Sequence, residues 1–149
     1  MKTINLSLIL LVAAFMNSSC RKECEELILK VESLEKLYGC TDTRNSMAID
    51  LTNDAVIITT QTDFNALVDG PCKPVIDFSK YHLLIGKKTT THKVDTIFYD
   101  YRADCPDRYK TMKVEIVMTT EEIPEDVVYH ALISKLTDEE GISLTIISR

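Results

Sequence analysis

The chain has 149 residues, with 17 Lys plus Arg against 23 Asp plus Glu and a formal net charge of −6. That is the length of one ordinary domain, and 45% hydrophobic with 27% charged residues is the balance of a globular fold with a core of its own. The acidic excess repels phosphate backbones, so no nucleic-acid partner is expected.

The first element in chain order is an address. Lys2 precedes an apolar run, LSLILLVAAFM from Leu6 to Met16, with no charge in it. The run is too short to cross a hydrocarbon core of about 30 Å as a helix, and it fits a signal peptide over residues 1–19. It ends in NSSC, residues 17–20, which resembles a bacterial lipobox with Asn17 where Leu is usual. The resemblance implies that Cys20 is acylated, becomes the new N-terminus and anchors the protein. CRKECEE, residues 20–26, is similar to the Lys-plus-acidic export signal of Bacteroidetes lipoproteins. The expected address is the cell envelope, with a lipid anchor in the outer membrane and display at its outer face. Several acyl chains hold a protein stably where a single chain does not.

Residues 20–39 read as a tether and a helix. In ECEELILKVESLEKLYG, Leu27, Ile28, Val31, Leu34 and Tyr38 recur at helical spacing, and Gly39 sits where a C-terminal cap belongs. Glu26 with Lys30, and Glu32 with Lys36, are favourably ordered i,i+4 pairs. Residues 40–149 read as the folded domain. From Met47 to Leu51 the period switches to two, TND makes a turn, and AVIIT returns as a strand. Thr60 and Asp63 then open a short helix that Gly70 stops.

Five strand-like stretches follow: YHLLIG, KVDTIFYDY, MKVEIVMT, VVYHALI and ISLTIIS. Turn-rich segments separate them. The prediction is an α+β domain, a mainly antiparallel sheet of about seven strands with one short internal helix besides the N-terminal one.

With Cys20 acylated, Cys24, Cys40, Cys72 and Cys105 remain, and an even number in an exported chain favours disulfides. If the strands run up and down in order, YHLLIG and KVDTIFYDY form a hairpin whose open end Cys72 and Cys105 would close. Cys72–Cys105 is therefore the favoured pair and Cys40–Cys72 the alternative. A continuous helix would hold Cys24 about 24 Å from Cys40, too far to bridge.

Other candidate sites weigh less. IGKKTTT has the Gly86-Lys87 of a phosphate loop but lacks the first glycine, and reads as the solvated end of a hairpin. His82, His92 and His130 lack the paired short spacings of a zinc site, so no metal is expected. Asp77 and Ser79 read as turn-makers ahead of the next strand. Asp95-Thr96-Ile97 resembles a short Bacteroidetes O-glycosylation motif. No catalytic residue is indicated, and no cofactor.

QTDFNALV followed by CKPVIDFSKYHLLIG, and later VVYHALISKL, resemble a group of small Bacteroidetes lipoproteins over most of residues 37–149. Through the order of helix, Asp-Phe-Ser and strand they distantly resemble the C-terminal domain of the PrcB-type lipoprotein, which stabilises an envelope protease complex. The resemblance implies a non-enzymatic module that meets an envelope protein partner and is held at the membrane by its anchor. The alternative is a lipoprotein that binds a small nutrient.

Overall fold

The computed structural model describes residues 26–103, 109–138 and 140–149. The expected signal peptide, Cys20, Cys24 and Cys105 lie outside the described residues. The fold is α+β and mostly sheet, but among the described residues nine strands divide among three sheets where one sheet of about seven was expected.

In chain order the strands are β1 (Leu27–Ile28), β2 (Ala48–Ile49), β3 (Ala55–Ile58), β4 (Val68–Asp69), β5 (Tyr81–Thr90), β6 (Val94–Ala103), β7 (Tyr109–Met118), β8 (Glu125–Ser134) and β9 (Gly141–Ser148). The helices are α1 (Leu34–Tyr38), α2 (Thr43–Ser46) and α3 (Gln61–Leu67). One sheet has the order β1-β6-β7-β9, a second β3-β5-β8, and β2 pairs with β4.

The second sheet is the middle layer. Its residues Ile58, Leu83, Ile85, Val128 and Leu132 pack on one side with Leu34, Phe64, Val68 and Ile76 of the helical layer. Leu84, Val127, Tyr129, Ala131 and Ile133 pack on the other side with Tyr101, Met112, Val114 and Ile116 of the first sheet. This explains two patterns in the sequence. YHLLIG and VVYHALI are continuously apolar because both of their faces are covered, whereas MKVEIVMT alternates because its strand has one solvated face. Gly86 lies inside β5, not at a hairpin end, and is paired with Tyr129, whose ring occupies the space a side chain would need.

Two topological expectations are corrected. β5 and β6 are not a hairpin, because the chain changes layer between them. Thr90 is buried there and its hydroxyl donates to the carbonyls of His92 (2.8 Å) and Glu125 (3.2 Å), and a bulge follows at Val94/Thr96. Nor is the first sheet wholly antiparallel. β8 crosses to the middle layer and the chain returns, so β9 lies parallel to β7.

The disulfide follows from the same geometry. The β5–β6 hairpin that would have joined Cys72 to Cys105 is not formed, and Cys72 is bonded to Cys40, with Cα atoms 5.6 Å apart. The pair is therefore Cys40–Cys72, the alternative, and not Cys72–Cys105. It ties the end of α1 to the segment that leads into β5.

The long N-terminal helix is corrected as well. Leu27 and Ile28 pair with β6, and Glu32 bridges Leu132 of β8 through both backbone bonds (3.0 and 2.8 Å). Only then does a helix begin, where the Ser33 hydroxyl accepts from the Lys36 amide (3.2 Å), and it runs five residues to Gly39 at φ 70°. Of the two expected i,i+4 pairs, Glu32–Lys36 forms (2.9 Å), while Glu26 pairs with Arg102 (2.8 Å). Two internal helices, α2 and α3, stand where one was expected. The second, α3, begins at its expected cap, where Thr60 Oγ1 accepts from the Asp63 amide (3.1 Å) and donates back to its carboxylate (2.7 Å). It ends at Leu67, ahead of β4, and not at Gly70.

Candidate functional site

Where the N-terminal segment leaves the first sheet for the edge of the middle one, the layers part and leave a groove. Its two adjoining hollows, about 260 and 320 Å³, share Ser33, Ile97, Tyr99 and His130. Both open widely to solvent.

His130 forms the floor. On β8, Val128, His130 and Leu132 face the helical layer, and the His130 side chain meets the start of α1, 6% exposed. The first amides of a helix have no partner within the helix, and the imidazole supplies one: the Leu34 N–H donates to His130 Nε2 at 3.2 Å. The same nitrogen lies 3.2 Å from Glu35 Oε2, and Nδ1 lies 3.5 Å from Thr43 Oγ1, whose hydroxyl donates to the other Glu35 oxygen. One nitrogen does one of the two at a time: without a proton Nε2 accepts from Leu34, and with one it donates to Glu35. Hydrogen bonds from His130 and then Thr43 outweigh desolvation and hold the Glu35 carboxyl far below its usual range. The Tyr99 hydroxyl closes the back, accepting from the His130 amide (3.0 Å), and burial keeps its phenol neutral.

The rim differs around its length. Arg44 donates to the carbonyl of Asp95 (3.0 Å) at one end. At the other, Ile97 and Phe98 stand opposite Val31 and Lys36. Phe98 is 55% exposed and Ile28, near the start of the described chain, 80% exposed, and both lie on the solvent side of the first sheet. The groove thus offers a charged carboxylate, 38% exposed, beside an apolar wall. That combination accepts a hydrogen-bond donor or a cation next to a hydrophobic side chain. A carboxylate held this low is a weak proton acceptor at neutral pH, which is the opposite of the tuning that general-base catalysis uses.

Of the residues singled out in the sequence, His82 is buried, its Nδ1 accepts from the Leu136 amide (3.4 Å), and burial lowers its pKa. His92 sits in the β5–β6 turn beside Thr91. Among the described residues no cluster of His, Cys, Asp or Glu is placed to hold a metal. Asp77 accepts from the Ser79 amide (3.2 Å) and pairs with Lys80 (2.8 Å), the turn their spacing suggests. Asp95, Thr96 and Ile97 all line the groove. Sequence reasoning missed Glu35, Thr43 and Tyr99; the one available signal was a histidine inside an apolar strand. No family model, curated protein or solved structure matches the chain.

Proposed function

We propose that the chain is a non-enzymatic lipoprotein of the cell envelope, anchored through Cys20, that docks an extended segment of another envelope protein in the groove over His130. The observation that carries this reading is the groove itself. A nutrient-binding site encloses most of its ligand's surface, whereas this groove is open to solvent along its length and bordered by exposed Phe98. Exposed apolar residues beside a polar floor suit a protein partner. The segment that fits would place an apolar side chain against Ile97 and Phe98, and a basic or hydrogen-bond-donating one toward Glu35. The anchor supports the same reading, because the groove adjoins the end of the chain from which the tether would come.

The test is photocrosslinking in the native host, with a benzophenone amino acid at Phe98 and, as control, at exposed Asn65 on α3. A discrete envelope protein captured from Phe98 and lost with Glu35→Lys is the expected result. Equal labelling from both positions would remove the groove from the proposal.

A further inference from the structure

A different part of the molecule, independent of the groove, is left open by the fold. β9 is the outer strand of the first sheet. The Arg149 amide donates to Ile116 (3.0 Å) and its carbonyl accepts from Met118 (2.8 Å), so the odd-numbered residues of this segment face β7. Along a strand the direction alternates, so the N–H and C=O groups of Ile142, Leu144 and Ile146 point away from β7, and none of the described residues pairs with them.

An exposed edge of this length is usually defended by lysine, proline, a bulge or a covering loop. β9, GISLTIIS, has no charged residue and no proline, and its pairing with β7 is unbroken. Of the other sheet edges, β1 has two residues and leaves the rest of β6 along the groove, where Arg44 donates to the Asp95 carbonyl, β3 has four, and β8 is covered by Glu32 and Tyr99.

We infer that β9 pairs with β9 of a second copy, antiparallel about a two-fold axis through Leu144, joining the two first sheets into one. The register is self-complementary. Leu144 lies opposite Leu144 of the second copy, and Ile142 opposite Ile146, which extends the apolar face that these three residues already share with the core. On the solvent side Ser143 lies opposite Thr145, a favourable cross-strand pairing. About six backbone bonds form, two at each of three pairs. The like net charge of two copies, −6 each, opposes their association elsewhere, and β9 offers an edge that adds no charge repulsion to the self-complementary pairing. Two-fold pairing also consumes the edge on both copies, so assembly stops at the dimer.

The test uses the full chain in mild detergent, by sedimentation equilibrium from about 1 to 100 µM. Wild type is expected to move to twice the chain mass with rising concentration. Ser143→Lys with Thr145→Lys, both at exposed positions, places like charges opposite each other and should leave a monomer of unchanged circular dichroism. Mixing it with Ser143→Glu/Thr145→Glu should restore association as a heterodimer. Hydrogen exchange on wild type gives a readout that needs no variant: the amides of Ile142, Leu144 and Ile146 should exchange slowly at high concentration and fast at low. Wild type that stays monomeric, a double-lysine variant that associates as before, or fast exchange at these three amides in a dimer would each overturn the inference. Groove crosslinking is unaffected by any of these outcomes.

Discussion

Gly86→Ala is expected to destabilise the fold far more than one methyl group suggests. The added carbon would lie under 3.0 Å from the hydroxyl oxygen and two ring carbons of Tyr129. Neither neighbour can give way easily, because Gly86 is held by β3 on one side and β8 on the other, and Tyr129 is 1% exposed in the core between the sheets. Overpacking of this kind costs about 1–3 kcal/mol when the side chain can shift. Forcing the ring out would forfeit part of a buried surface of roughly 150–250 Å², at about 25 cal/mol per Å². The expected loss is about 3 kcal/mol, read as a lower urea midpoint with an unchanged slope. In a double-mutant cycle, Gly86→Ala should cost less than about 1 kcal/mol once Tyr129 is alanine, since the coupling is the clash itself. A single Gly86→Ala within about 0.5 kcal/mol of wild type would refute the packing described for β5 and β8.

Three further outcomes follow from the core, the bridge and the groove. Tyr101 is 1% exposed, its hydroxyl has no partner among the described residues, and burial with nearby Glu140 pushes its pKa up to about 12. Tyr101→Phe should therefore raise stability by about 1 kcal/mol, a gain of about 2–4 °C in Tm; a fall of that size would show that the hydroxyl is satisfied. Replacing Cys40 and Cys72 by alanine opens a loop with a sequence separation of 32 and should cost about 2–4 kcal/mol in denaturant titrations, while an unchanged midpoint under non-reducing conditions would mean the bridge does not form. Glu35 has a folded pKa below its ordinary 4.5, so its contribution is present above that value and is lost as pH falls below it. The stability difference between wild type and Glu35→Gln should shrink as pH falls below about 4.5, the ordinary value of the carboxyl. A difference that stays flat down to pH 3 would remove the carboxylate from the pair with His130.

The five long strands were legible because pattern and punctuation agreed there: alternation in MKVEIVMT, β-branched runs in KVDTIFYDY and ISLTIIS, and turn residues between. Their division into layers was not. A short polar connection such as KTTTHK reads as a hairpin whether the chain folds back in one sheet or steps to another, and only buried Thr90 with the Val94/Thr96 bulge decides it. The continuous apolar runs in β5 and β8 did carry a signal of double burial, and that signal points to a middle layer. Leu27, Ile28, Val31 and Leu34 satisfy helical spacing and equally a strand that gives way to a helix at Ser33; pairing with β6 and β8 settles the matter, and local propensity carries no knowledge of those partners. The disulfide expectation failed for the same reason, since it inherited the hairpin. The groove was invisible because its parts lie far apart in sequence, with His130 87 residues from Thr43.

Everything proposed for the groove and its partner depends on the chain being held at a membrane through Cys20. The most direct test is the intact mass of the protein extracted from membranes of its native host, measured before and after reduction and alkylation. With free thiols blocked beforehand, the account predicts a chain that begins at Cys20, carries three acyl groups and takes up on reduction at least the two alkyl groups of Cys40–Cys72. An unacylated chain recovered from the soluble fraction would contradict the anchor, and with it the placement of the groove at a membrane surface.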